Sequence, residues 1–135
     1  MFRIDIDASR SFVSIEVRGQ MDDAEAALYV SSIRSEFVSK IGARPYVMLI
    51  DTSKCVLHSQ SVVERFRAHI GRFPKATRIA LVTGDSLVKM QLRRVLTRDY
   101  SCFFATVDEA LPWLLHQWPP AGRAAARPAP TTVAR

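Results

Sequence analysis

The sequence predicts an α/β fold built on one mixed sheet of about five strands, in the order β-β-α-β-α-β-α-β-α. Three patterns carry that expectation. Phe2, Ile4 and Ile6 alternate with polar residues, and after a short polar break so do Phe12, Val13, Ile15 and Val17, which is the period-two signature of a half-buried hairpin. Val47-Met48-Leu49-Ile50 is a continuous apolar run, as a strand covered on both faces requires. From there on, strand-like runs alternate with stretches of helical period, the arrangement that parallel βαβ units produce.

Each element has its own signal. After the hairpin, Gly19-Gln20-Met21 leaves the second strand, and Asp22 or Asp23 can cap a helix with Glu25 in its first turn. Ala26, Val30, Ile33, Phe37 and Ile41 recur at helical spacing, and Gly42 closes the run. The central strand, 45–51, ends in Asp51, and the polar stretch after it reads as a loop over 52–61. Ser61-x-x-Glu64 fits a capping box for a second helix with Val62, Phe66, Ile70 and Phe73 on its inner stripe, ended by Gly71 and Pro74. Residues 78–83 form the next strand and Gly84-Asp85-Ser86 the turn after it. A third helix follows with Leu87, Val88, Leu92, Val95 and Leu96 inward and Lys89, Arg93, Arg94 and Arg98 outward. Cys102-Phe103-Phe104-Ala105 reads as a last strand, and Thr106-x-x-Glu109 as a capping box for a final helix in which Pro112 predicts a kink or a tight first turn.

At 135 residues the chain is long enough for one domain with a real core, assigned to 1–118. Residues 119–135 change to Pro, Ala, Arg and Thr without apolar period, and are expected to be a disordered tail. Two cysteines, Cys55 and Cys102, are too few for a disulfide framework. The charged start Met1-Phe2-Arg3-Ile4-Asp5 is unlike a signal peptide, and no apolar run has the ~20 residues of a membrane span, so a cytoplasmic protein is expected. Charge is uneven. Between Glu64 and Arg98 nine bases face two acids, a basic middle that favours an anionic partner surface.

Chemical signals are sparse. Gly84-Asp85-Ser86-Leu87 matches the nucleophile block of GDSL esterases, but Pro112 and Trp113 stand where the partner Asp of an Asp-x-x-His pair would precede His116. A serine nucleophile without base and orienting acid is inert, so helix capping is the better reading. Cys55-x-x-His58 supplies two metal ligands where a closed zinc site wants four, and no glycine-rich phosphate cradle occurs; neither metal nor cofactor is expected. The basic face of Lys89, Arg93, Arg94 and Arg98 has no aromatic residue among its members, which argues against nucleic acid. His69 reads as a partly buried helix residue.

The element order, the Leu49-Ile50-Asp51 strand end, the strand 79–84 with its following helix, and the ending Ala110-Leu111-Pro112-Trp113-Leu114 resemble the STAS domains of anti-sigma-factor antagonists and of sulfate-transporter tails, and the related SpoIIAA-like group. The resemblance covers residues 1 to about 118. It implies a non-catalytic regulatory module that binds a protein partner through the loop after the central strand, here Asp51, Ser53, His58, Ser59, Gln60 and Ser61. In the signalling members a serine at the following helix start is phosphorylated; Gln60 stands at that position, with Ser59 and Ser61 on either side, so the phosphorylation motif is degraded. The alternative the resemblance implies is a carrier or sensor of a small amphipathic or anionic ligand held between sheet and helices. A homodimer is left open.

Overall fold

A computed structural model describes residues 1–96 and 100–120. The elements are β1 (Phe2–Asp7), β2 (Phe12–Gly19), α1 (Asp23–Lys40), β3 (Val47–Cys55), α2 (Gln60–Arg72), β4 (Arg78–Val82), α3 (Ser86–Val95), β5 (Ser101–Phe104) and α4 (Val107–Leu114). The strands lie in one sheet in sequence order. β1 and β2 pair antiparallel, with Ile4 opposite Ile15, and every later pairing is parallel. The mixed α/β sheet read from the sequence is therefore the one observed.

Crossovers of one hand that step in one direction deliver their helices to one face. α1, α2 and α3 accordingly share a cluster with Ile15, Met48, Ile50, Ile79 and Leu81. α4 lies on the opposite face against Val47, Leu49, Ala80 and Val82. Successive residues of β3 and β4 thus point into different cores, which is why these strands are apolar without a break. The α4 side shelters Val47, Leu49 and, at the start of β2, Phe12, but not the rest of the hairpin, where Ser14 and Glu16 alternate with the buried Val13, Ile15 and Val17. Partial cover explains the half-buried pattern of β2.

The caps follow the sequence in three helices and depart from it in α2. Asp22 caps α1 by accepting from Glu25 N at 2.8 Å, and Gly42, at φ +63°, donates to Phe37 O at 3.0 Å to close it. Thr106 caps α4 through Glu109 N at 3.1 Å, while the Glu109 side chain returns to Ala105 N at 3.3 Å. In α2 the cap is Ser59, whose Oγ accepts from Val62 N at 3.3 Å, and not Ser61. The helix begins one residue before Ser61, so that hydroxyl is free to donate to Asp23 Oδ1 at 3.0 Å on the neighbouring helix. Leu87, expected inside, is exposed because it sits in the first turn of α3, where Asp85 accepts from Leu87 N and Val88 N at the helix start.

The expected loop over 52–61 is mostly regular structure. β3 runs on to Cys55 because β2 continues beside it: a register shift carries the pairing from Glu16–Asp51 to Arg18–Lys54 and Gly19–Cys55. Asp51 and Ser53 are strand residues, Gln60 and Ser61 belong to α2, and only residues 56–59 form loop. At the chain's other end Trp118 is buried, its indole Nε1 donating to Arg10 O at 2.7 Å, so the hairpin turn and the segment after α4 hold each other. The expected tail lies, from residue 121 on, outside the described residues.

Candidate functional site

The short connection over 56–59 is held on two sides. Val56 N extends the ladder by donating to Gly19 O at 3.1 Å, and Gln20 Nε2 donates to Leu57 O at 2.7 Å. From the other side Gln91 of α3 makes a reciprocal clamp: His58 N donates to its Oε1 at 2.9 Å, and its Nε2 donates to His58 O at 2.9 Å. One side chain thus satisfies both backbone groups of a loop residue, work that water does in a free loop. With its polar groups turned to these partners, the loop shows its apolar side chains outward. Val56 is 52% and Leu57 41% exposed, and on the tethered helix Leu87 is 54% and Met90 55% exposed.

Beneath the loop, between the sheet and the three helices, lies a partly open cavity of about 80 Å³. Its walls are nearly all apolar and include Val17, Ile50, Phe66, Val88 and Leu92. Thr52 lines it too, but its hydroxyl is occupied in donating to Val82 O at 2.7 Å. Two histidines complete the lining. His69 is buried in α2 with its ring between Tyr29 and Phe73, at 6.0 and 4.9 Å between centroids, and its Nδ1 has no hydrogen-bond partner. His58 is half-buried against Phe66, and its Nε2 is likewise buried and unpaired. Burial holds both rings below the ordinary histidine range, His69 at about 4 with the Arg34 charge adding to the effect. Both are neutral at pH 7.

Cys55 sits 3.7 Å from His58 Nδ1, a pairing that could be taken for a nucleophile and its base. Burial pushes the thiol up to about 11, so it carries its proton at neutral pH and is neither nucleophile nor ready metal ligand. Among the described residues no three His, Cys, Asp or Glu side chains gather in a group that could hold a metal ion.

The other sequence-predicted residues are scattered. Asp51 accepts from Ser53 N at 3.0 Å and, by strand alternation from Leu49, faces away from the cavity. Gln60 Nε2 donates to Glu64 Oε2 at 3.1 Å on the surface of α2, and Ser59 and Ser61 serve the cap and Asp23. Of the basic face, Lys89 Nζ and Arg93 Cζ lie 5.2 and 5.5 Å from the ring centre of Phe103 on β5, so the face does contain an aromatic ring, supplied by the next strand. Arg94 is exposed, and Arg98 lies outside the described residues. Sequence reasoning missed Gln91 and the convergence of the two histidines. Glutamine has no distinctive signal, and the histidines meet only through the fold.

A five-stranded sheet in sequence order, an antiparallel hairpin followed by three parallel crossovers to one face, and a terminal helix on the other define the SpoIIAA-like, or STAS, fold. Two solved structures share it. An uncharacterized protein of the DUF3478 family with a SpoIIAA-like fold from Shewanella loihica PV-4 superposes with a TM-score of 0.64 at 18% identity, over 84% of this chain and 93% of that one. An anti-sigma factor antagonist from Mycobacterium paratuberculosis does so with a TM-score of 0.60 at 15% identity, over 84% and 94%. No family model matches the sequence, and no curated protein does. At these identities the likeness is one of fold. Among the described residues no helix is long and apolar enough to cross a membrane.

Proposed function

We propose that the protein is a non-catalytic regulatory module that binds a protein partner at the edge formed by residues 56–59 and α3. The observation that carries this reading is the cluster of exposed Val56, Leu57, Leu87 and Met90 on two segments locked together by Gln91. Large apolar side chains shown to water on a rigid edge favour a partner surface. Their neighbours Lys89, Arg93 and Arg94 favour one with an acidic rim. The solved anti-sigma factor antagonist of the same fold is consistent with a regulatory role. The cations on the ring of Phe103 cover it, which disfavours its use as a stacking platform for nucleic acid bases. With Gln60 at the helix start and Ser61 donating to Asp23, control by a serine kinase is not part of this proposal. Capture of a partner by the wild type, its loss in a Leu57→Glu, Met90→Glu double variant, and its retention in Val38→Glu on the outer face of α1 would support the assignment. Equal capture by all three would remove it.

A second reading is favoured by the cavity: a small ligand held between sheet and helices. The lining bears on its chemistry. Neutral histidines among apolar walls suit an uncharged molecule, and an anion would be desolvated there without a charged partner in the lining. The two readings are compatible, since the partner edge is the cavity's roof.

A further inference from the structure

Resting on the first of these readings, we infer that the edge of residues 56–59 and α3 takes an amphipathic helix of the partner, acidic in its first turns and running antiparallel to α3. Val56 N, Leu57 O, Ser59 O and both backbone groups of His58 are already bonded within the chain, and the main chain of α3 is taken up in its own helix. An added strand therefore finds no run of free groups to join, and side chains are left to make the recognition. Their order around α3 gives the shape. At 3.6 residues per turn Gln91 faces the loop, Leu87, Met90 and Arg94 come next, and Arg93 and Lys89 lie beyond them toward Phe103. Leu87, Met90 and Arg94 stand at i, i+3 and i+7, a stripe of two turns, roughly 10 Å long, between the loop that carries Val56 and Leu57 and the flanking cations. A helix laid along that stripe buries apolar residues of its own at the same spacing.

Charge selects the occupant and its direction. α3 carries Lys89, Arg93 and Arg94 and no acid. A second copy docked edge to edge would bring three cations from each chain together, which disfavours it. Arg93 and Arg94 belong to the last turn of α3, while Asp85 caps its first. Acidic residues are most favourable in a helix's own first turn, and antiparallel neighbours set the start of one helix beside the end of the other. That arrangement brings opposite charges together, and the parallel one sets acid beside Asp85.

The test titrates the full chain with three synthetic helical peptides of about 18 residues, long enough to hold a helix. One has leucines at i, i+3, i+7 and i+10 and glutamates in its first two turns, one has lysines in place of the glutamates, and one has the acidic composition in scrambled order. At low salt the acidic peptide should bind about tenfold more tightly than the lysine peptide, and the scrambled one should not bind. A nitroxide on the acidic peptide's N-terminus should broaden the amide signals of Arg93 and Arg94 more than that of Leu87. Leu57→Glu with Met90→Glu should abolish binding, and Met90→Glu alone, a change of one exposed side chain, should weaken it clearly. Equal binding of the acidic peptide and either control would overturn the acidic helix, and stronger broadening at Leu87 would overturn its direction. If the acidic peptide fails to bind while capture of a partner is still lost in the double variant, the helix falls and the edge reading stands; if capture is also indifferent to the variant, both fall. Self-association of the chain, or binding to vesicles of phosphatidylserine and phosphatidylcholine, that is lost in the double variant would give the edge to a second copy or to a membrane and overturn the proposal.

Discussion

On the face covered by α4, Val47, Ala80, Ala110 and Leu114 are fully buried, and the polar groups close by are spoken for. Arg78 Nη1 donates to Trp113 O and Leu114 O at 3.2 and 2.8 Å, and Trp118 Nε1 to Arg10 O. The face covered by α1, α2 and α3 buries more, yet keeps a cavity and, among the described residues, three buried nitrogens without partners, His58 Nε2, His69 Nδ1 and Arg34 Nε. Cores pack to near-crystalline density and pair their polar groups, so the first face behaves as ordinary core and the second departs from it, with a cavity and unpaired histidine nitrogens under residues 56–59 and a second hollow of about 290 Å³ beside Tyr46, Ile70 and Tyr100. Coincident departures are where a fold keeps its function. The cavity lined by His58 and His69 sits beneath the exposed edge of residues 56–59.

If that contrast is real, truncating one leucine on each face will separate them most widely. Leu114 has neighbours on all sides, so Leu114→Ala should cost about 3 kcal/mol, inside the usual range for a core leucine. Leu92 borders space already empty, so Leu92→Ala should cost about half as much. Urea melts of the two variants give both values. Equal losses would mean that the cavity is closed in solution.

The next effect is pH. His69 titrates at about 4 in the folded chain against 6.5 when unfolded, so folding excludes a proton. Its contribution is whole above pH 6.5, declines as the unfolded state takes up a proton, and levels off below 4. Between pH 7.5 and 5 the decline should be about 2 kcal/mol, at ~1.4 kcal/mol for each pH step below 6.5. Stability measured across that window should be flatter in His69→Leu by the same amount. Identical slopes would place the ring in contact with water. Gln91→Ala comes third: it frees both backbone groups of His58, should cost about 1 kcal/mol, and should speed hydrogen exchange at the His58 amide.

How far the sequence shows these faces depends on how local their causes are. Strand and helix periods, the Asp22 and Thr106 caps and the Gly42 stop are local, and the fold was legible from them. The length of β3 was not, because Asp51-Thr52-Ser53-Lys54 has the composition of a loop and is held straight by β2 through a register shift. Ser59 and Ser61 compete for one cap, and spacing to Glu64 alone favours the wrong one. Of the proposed site only His58 could be singled out. Gln91 is 33 residues away in sequence, and His69 looks like any residue beside an apolar stripe.

The smallest expected stability change belongs to the basic face and carries the functional test of the exposed edge. Arg93 lies over Phe103, among its contacts, and Arg94 is exposed, so Arg93→Glu with Arg94→Glu gives up contacts that include the cation–π contact, worth about 0.5–1 kcal/mol at such a site. It also relieves repulsion between neighbouring cations, so the net change should stay under about 1 kcal/mol. The charges act at a distance instead. At physiological salt they reach about 8 Å, enough to draw an acidic partner toward the apolar edge but not to hold it once docked. The double variant should therefore slow association several-fold at low salt, change dissociation little, and approach wild type as salt rises. A faster dissociation at every salt concentration would place the two arginines inside the interface and move its centre from residues 56–59 to the outer face of α3.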